Sequence, residues 1–270
     1  MTNVAKVSII VPTYNRNWLL PRALQSIKEQ VYWPWEIIVV DDCGDDPRGV
    51  DEIVEKSEIK NIQVWHNEKN LGLAGSRGIG LQAAKGDYFT FLDDDDILLP
   101  LALQFRMNSI NMFGKEIVYT RALQDVWELS AGRWYSRQKT LYWDSKFDED
   151  LILVQNIAPC NCVTFSRRAW DATQNYMPDI ELKSGEDYDF WIALSRHTKF
   201  AELKLVDCEC SLRVFGDNTT DNMTGTRNFA ADLPRIFKRW RNTAMDLEWV
   251  TQRQNYVLKA RGLNPEEFGL

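Results

Sequence analysis

Four consecutive aspartates, Asp93, Asp94, Asp95 and Asp96, follow an apolar run at 88–92. Adjacent carboxylates repel one another unless a cation or hydrogen bonds compensate them. Hard oxygen donors suit Mg2+ or Mn2+, which takes one or two protein carboxylates and completes its shell with phosphate oxygens and water. The plainer reading is a solvated turn that caps the helix expected after it. Asp41 and Asp42 end a second apolar run. A carboxylate there can accept a hydrogen bond from a base N–H or a ribose hydroxyl, or it can simply end a strand. Gly185-Glu186-Asp187-Tyr188 opens a third segment of interest. One of its two carboxylates can serve as general base toward an acceptor hydroxyl, against the alternative of an ordinary acidic first turn. Arg77 can meet diphosphate oxygens or lie on a helix surface.

The elements that must carry these groups are legible in the first half. Residues 7–11 are a β-branched run ending in Pro-Thr-Tyr-Asn, a buried strand that stops at a loop. Leu19, Leu20, Ala23, Leu24 and Ile27 repeat at helical spacing, with Pro21 acceptable only in the first turn. Strands follow at 36–40, 62–65 and 88–92, with a glycine-punctuated helix at 73–84. Strands alternating with helices predict a parallel sheet covered by helices, whose carboxyl ends open on one crevice. Both acidic strand ends should meet there. The second half reads as a helix at 99–112, a strand at 117–120 and a turn at Gly132. Trp127, Trp134, Tyr135, Tyr142 and Trp143 surround that turn, suited to an acceptor groove. A helix at 187–195, a strand at 200–206, a polar loop at 216–225 and an amphipathic helical tail from about 229 complete the chain.

The formal charge of -7 argues against nucleic acid as main partner, since phosphate neutralisation by Lys and Arg dominates that affinity. A divalent cation lets an acidic protein hold a diphosphate all the same. Five cysteines and no export signal point to buried reduced thiols and a cytoplasmic setting. Cys160-Asn-Cys162 and Cys208-Glu-Cys210 are too tightly spaced for the usual zinc pattern. The glycines of segment 70–80 do not match a dinucleotide fingerprint.

Five blocks in order carry a resemblance: Val-Pro-Thr-Tyr-Asn-Arg (11–16), Val-Val-Asp-Asp (39–42), Asn-Leu-Gly-Leu-Ala-Gly-Ser-Arg (70–77), Phe-Leu-Asp-Asp-Asp-Asp (91–96) and Gly-Glu-Asp-Tyr-Asp-Phe-Trp (185–191). Together they resemble the family-2 inverting glycosyltransferases of GT-A fold, over roughly residues 5–215. The resemblance implies a Rossmann-like, mixed but mainly parallel sheet flanked by helices, with a C-terminal helical appendage. It implies a catalytic domain at 1–226, divided into a nucleotide-binding half (1–98) and an acceptor-binding half (99–226), and a tail at 227–270. By the same likeness Pro12, Tyr14, Asp41 or Asp42, Arg77, Asp93 and Asp94 would bind the nucleotide-sugar donor. UDP would be the first choice of nucleotide and dTDP the next. Asp95 would hold Mn2+ or Mg2+, Asp187 would be the base, and Glu186 and Trp191 would lie on the acceptor side. A saccharide or lipid-linked glycan is the acceptor it implies. One departure is Phe215, which stands where many relatives carry a histidine metal ligand; His66 and His197 fall outside the motifs and read as incidental.

Three other readings compete. An aspartyl phosphatase would use Asp93 as nucleophile, but its motif ends the first strand, not the fourth. A nucleotidyltransferase would need a basic glycine-rich loop that is missing here. A sugar-nucleotide-binding module without activity would make equal use of the tryptophans. In the tail, Lys238, Arg239 and Arg241 beside Phe237 and Trp240 suggest peripheral contact with an anionic membrane, as a lipid-linked acceptor would require.

Overall fold

A computed structural model describes residues 5–34, 36–130, 132–142, 146–214 and 227–270. Strands β1 (Val7–Thr13), β2 (Glu36–Asp41), β3 (Ile62–His66) and β4 (Tyr88–Phe91) pair in parallel in the order β3-β2-β1-β4. Helices α1 (Leu20–Lys28), α2 (Pro47–Ser57) and α3 (Gly72–Ala83) connect them. Pro21 does fall in the first turn of α1. The path steps outward from β1 to β3 and then returns past β1 to β4. Right-handed crossovers therefore put α3 on the face opposite α1 and α2. The reversal between β1 and β4 is the switch point at which a doubly wound sheet opens a crevice. Gly80 lets α3 press onto the sheet, since a Cβ there would lie 2.2 Å from Ile10 Cγ2.

The sheet continues beyond β4 with changes of direction. Strand β8 (Val163–Ser166) is antiparallel to both β4 and β6 (Ile117–Ser130). Strand β9 (Phe200–Val214) runs parallel to β6, and the two-residue β5 (Ile97–Leu98) closes the far edge. The expected strand at 117–120 is the first turn of a much longer one: β6 and β7 (Arg133–Tyr142) form a hairpin that holds Trp127, Trp134 and Tyr135. Trp143 and the loop at 216–225 lie outside the described residues, as does Phe215. Helix α4 (Ala102–Phe113) starts later than expected because Ile97 and Leu98 pair with β9 first. A short α5 (Arg167–Ala172) precedes α6 (Glu186–Ser195).

The tail is two helices, α7 (Arg227–Trp240) and α8 (Leu247–Ala260), joined by a tight turn at Arg241–Thr243. Leu233, Ile236, Phe237, Val250 and Leu258 are buried and belong to the same hydrophobic core as the sheet. The 227–270 segment thus packs over the body of the protein through its apolar face.

Candidate active site

A cleft of about 550 Å³ opens at the carboxyl ends of β1, β2 and β4. Its floor is the acidic run. One carboxylate oxygen from each of Asp93, Asp95 and Asp96 lies within 4.8 Å of the others. Asp94 accepts from Thr13 Oγ1 at 2.7 Å and from Arg16 Nη1 at 3.3 Å. Asp95 faces Arg16 Nη1 at 3.1 Å and Arg213 Nη2 at 2.8 Å. Asp96 accepts from Ser211 N at 2.7 Å and Asn161 Nδ2 at 2.8 Å. Burial, and then the charge of Asp95, pushes the Asp94 carboxyl up to about 7, and the same two causes hold Asp96 well above the ordinary aspartate value. Carboxyls raised in this way hold protons unless a positive charge beyond that of Arg16 and Arg213 compensates them. A cluster of hard oxygen donors at this spacing fits a divalent cation, which would supply that charge.

The opposite wall is the start of α6. Gly185 adopts φ +79°, and Glu186 and Asp187 follow it into the cleft. Asp187 accepts from Asn156 Nδ2 at 3.3 Å and from the Tyr188 amide at 2.7 Å. Burial raises the carboxyls of Glu186, to about 7, and of Asp187, against the lowering effect of Arg77. Arg77 is 2% exposed and bridges the two walls: one nitrogen donates to Asp93 Oδ1 at 2.6 Å and the other to Glu186. Its guanidinium also lies over the Phe91 ring, 5.5 Å from the centroid.

The sequence of residues 8–171 matches the family model described as "Glycosyl transferase family 2". The chain belongs to glycosyl transferase family 2. Among its relatives, the "Putative colanic acid biosynthesis glycosyl transferase WcaA" of Escherichia coli K12 is 30% identical over 197 residues, covering 72% of this chain and 67% of that protein. The "GalNAc(5)-diNAcBac-PP-undecaprenol beta-1,3-glucosyltransferase" of Campylobacter jejuni is 40% identical over 107 residues. That match spans 39% of this chain and 35% of the relative. In shape the chain is similar to Staphylococcus aureus TarS 1-349 in complex with UDP-GlcNAc. The TM-score is 0.69 at 22% identity, with 94% of this chain and 71% of that one covered, a likeness that carries the GT-A fold.

Within this family-2 transferase most of the expected site residues do converge. Pro12, Tyr14, Asp42, Arg77, Asp93, Asp94, Asp95, Glu186 and Asp187 all line the cleft. Tyr14 stays 46% exposed, available to a planar base. Asp42 faces the cleft while capping the entry to α3, accepting from the Leu71 and Gly72 amides at 2.8 Å each. Asp41 does not reach the cleft. It ends β2 in register with His66, and its carboxylate takes His66 Nδ1 at 2.8 Å and the Gly44 amide at 3.1 Å. Trp191 is also misplaced by the expectation. Helix α6 runs away from the cleft into the core, so a residue one turn beyond Asp187 is wholly buried, among Phe91, Phe165, Phe190 and Phe200. Arg77 lines the cleft, yet two of its nitrogens are held by protein carboxylates, which makes it a tie between the walls where a diphosphate clamp was expected.

Asp96 was read only as part of the acidic run, and Arg16, Arg213 and Asn156 were assigned no role from the sequence. Asp96 and Arg16 sit inside the quoted motifs, so only their contacts were hidden; Arg213 and Asn156 had no local signal. Cys160, Cys162 and Cys208 are buried free thiols, with Cys162 Sγ 2.9 Å from Cys208 Sγ. Asp207 beside them is bound by Arg106 through two bonds of 2.6 Å, so that trio has no free carboxylate for an ion. Two of the three tail cations are held within the protein, and Lys238 is exposed. Arg239 pairs with Asp189, Arg241 donates to Gln254 at 2.7 Å, and Lys238 donates to the Phe268 carbonyl. Phe237 is buried and Trp240 Nε1 donates to Asp189, so these two rings are engaged within the protein. No helix among the described residues is long and apolar enough to cross a membrane.

His66 is not incidental, since it joins Asp41 to Asp51 at 2.8 and 3.1 Å. Desolvation lowers its pKa, but the two carboxylates outweigh that and raise it above 6.5. A histidine raised on folding stabilises the fold fully below its unfolded pKa, and the contribution disappears as pH rises through the folded value. His66→Asn is therefore expected to lower the melting temperature at pH 5.5 and much less at pH 8.5. An equal loss at both pH values would show that the charge on His66 contributes nothing.

Proposed function

We propose that this transferase moves a sugar from a nucleotide diphosphate sugar, UDP-sugar in the first place, to a hydroxyl of a saccharide or lipid-linked glycan, with inversion at the anomeric carbon. The observation that carries this reading is the cleft's division of labour: a carboxylate cluster suited to a cation on one wall, and a raised, cleft-facing Asp187 on the other. The UDP-GlcNAc of the TarS complex and the undecaprenol-linked acceptor named for the Campylobacter relative support the two substrate classes. Residues 1–98 would supply the donor side and 99–226 most of the acceptor side, with 227–270 as a packed appendage.

Asp95, with Asp93 and Asp96, would hold Mn2+ or Mg2+, which when bound supplies positive charge to the diphosphate. Tyr14 would lie against the base and Asp42 would accept from base or ribose. Asp187 accepts the acceptor hydroxyl proton as the oxygen attacks the anomeric carbon, and the bond to the diphosphate breaks on the opposite face. A carboxylate whose proton affinity is raised by burial is a stronger base than an ordinary one. Arg16 and Arg213 stand beside the leaving group's expected position and favour its negative charge.

Calorimetric titration with UDP, dTDP, GDP and CDP, each with Mn2+ and then with EDTA, tests this directly. UDP is expected to bind with Mn2+ and to lose most of its affinity in EDTA. Asp95→Ala is expected to bind UDP equally weakly in both. Binding of no nucleotide would sink the donor assignment, and unchanged Mn2+-dependent binding by the variant would remove Asp95 from the metal site.

A further inference from the structure

Helix α7 is built into the turn that carries Glu186 and Asp187. One oxygen of Asp232, Oδ2, accepts from the backbone amides of both Lys183 and Ser184 at 2.8 Å each. These two residues immediately precede Gly185, whose own cap position has no side-chain hydrogen bond. Gly185 adopts a left-handed φ of +79°, and a Cβ on it would lie 2.9 and 3.0 Å from two carbons of the Phe229 ring. Phe229 in turn leans on Tyr188, ring centre to ring centre 6.5 Å.

The same helix grips the far side of the pair. Asp189 accepts from Arg239 Nη1 at 2.6 Å and from Trp240 Nε1 at 2.7 Å, with Tyr176 Oη donating at 2.6 Å. Residues 183–189 are thus fastened on both flanks of Glu186 and Asp187 by side chains of α7. Asp93 is tied to this turn through Arg77 and Glu186, whereas Asp94, Asp95 and Asp96 have different supports, namely Thr13, Arg16, Asn161, the Ser211 amide and Arg213. Loss of one α7 contact should therefore move the base while leaving Asp94, Asp95 and Asp96 in place.

We propose that Asp232 is a positioning residue for the transfer: by holding the Lys183 and Ser184 amides it sets the entry angle of α6 and aims the Asp187 carboxylate into the cleft. This rests on Asp187 being the base. Misplacement of a reacting group by about 1 Å costs on the order of 10²-fold in rate. Asp232→Ala is accordingly expected to lower kcat by roughly 10-fold to 10²-fold, with calorimetric UDP affinity in Mn2+ within about twofold of wild type. Asp232→Asn keeps an oxygen able to accept from both amides and is expected to restore most of kcat. Asp232→Glu keeps the charge but displaces it by one methylene, so it is expected to fall between; it also serves if the alanine variant fails to fold.

The measurement is kcat and UDP affinity for the three variants beside Asp187→Asn. Wild-type kcat in Asp232→Ala, or in Asp232→Glu where the alanine variant does not fold, with Asp187→Asn inactive, overturns the positioning role. So does an Asp232→Asn variant as slow as Asp232→Ala, or a loss of UDP affinity that accounts for the loss of rate. Full turnover in Asp187→Asn overturns the base assignment instead, whatever Asp232 does.

Discussion

Asp187→Asn is expected to reduce kcat by roughly 10²–10⁴-fold, the usual contribution of a positioned general base, while UDP affinity in Mn2+ stays within about twofold. The amide keeps the shape and the hydrogen bond from the Tyr188 amide but cannot take the acceptor proton. Glu186 does not substitute for it, because its oxygen is held by the buried Arg77. In the wild type the acid limb of the pH–rate profile should lie above the ordinary aspartate value of 3.8, because burial raises Asp187. Activity should disappear as pH falls through that limb, since protonation removes the base. Glu186 lies beside it and is raised by burial as well, so the limb belongs to the pair. Steady-state rates of sugar release from a UDP-sugar and single-turnover measurements check the size of the effect. Wild-type turnover in the variant would end the assignment.

The second large effect is on stability. Arg106 on α4 is fully buried, and two of its nitrogens bind Asp207 on β9 at 2.6 Å, with Thr120 on β6 donating to the same carboxylate at 2.5 Å. Asp207→Ala would leave that guanidinium buried without its counter-ion, and breaking one side of such a pair costs about 3–5 kcal/mol. The double variant Arg106→Met with Asp207→Leu is expected to lose much less, because neither charge then needs compensation. Denaturant titration followed by tryptophan fluorescence compares the three proteins. A single-variant loss under about 1 kcal/mol would show that water or a neighbouring group satisfies Arg106, since a net loss of that size is what one ordinary hydrogen bond contributes.

The first half of the fold was legible because β1 and β2 are β-branched runs buried along their length, and because β2 and β4 run into acidic residues that cannot continue into a core. Strand β6 was cut short in the reading because Arg121, Gln124 and Asp125 interrupt its apolar character, although Asp125 is buried and takes a bond from Ser136. Asp125 is met by Ser136 across the hairpin and Arg121 by Glu202 on β9, partners that are not written locally. The choice between Asp41 and Asp42 was open for a similar reason. Neighbouring side chains on a strand point to opposite faces, and only the register of β2 against β3 shows that Asp41 meets His66. In the tail the apolar stripe was visible, but its orientation toward α6 depended on partners such as Asp189, 50 residues away from Arg239. Trp191 shows the same limit, since a helix sequence does not say in which direction the helix leaves the site.

The grip of α7 on the Ser184 turn also sets an order of events during synthesis. The donor-side strands β1 to β4 are made first and can pair while translation continues. The turn before Asp187 emerges without its fastening, because Ser184 and Asp232 are 48 residues apart. At about 5–20 residues per second the interval is roughly 2–10 s. Throughout that interval a nascent chain would have strands β1 to β4 made, with the proton-accepting wall still unset.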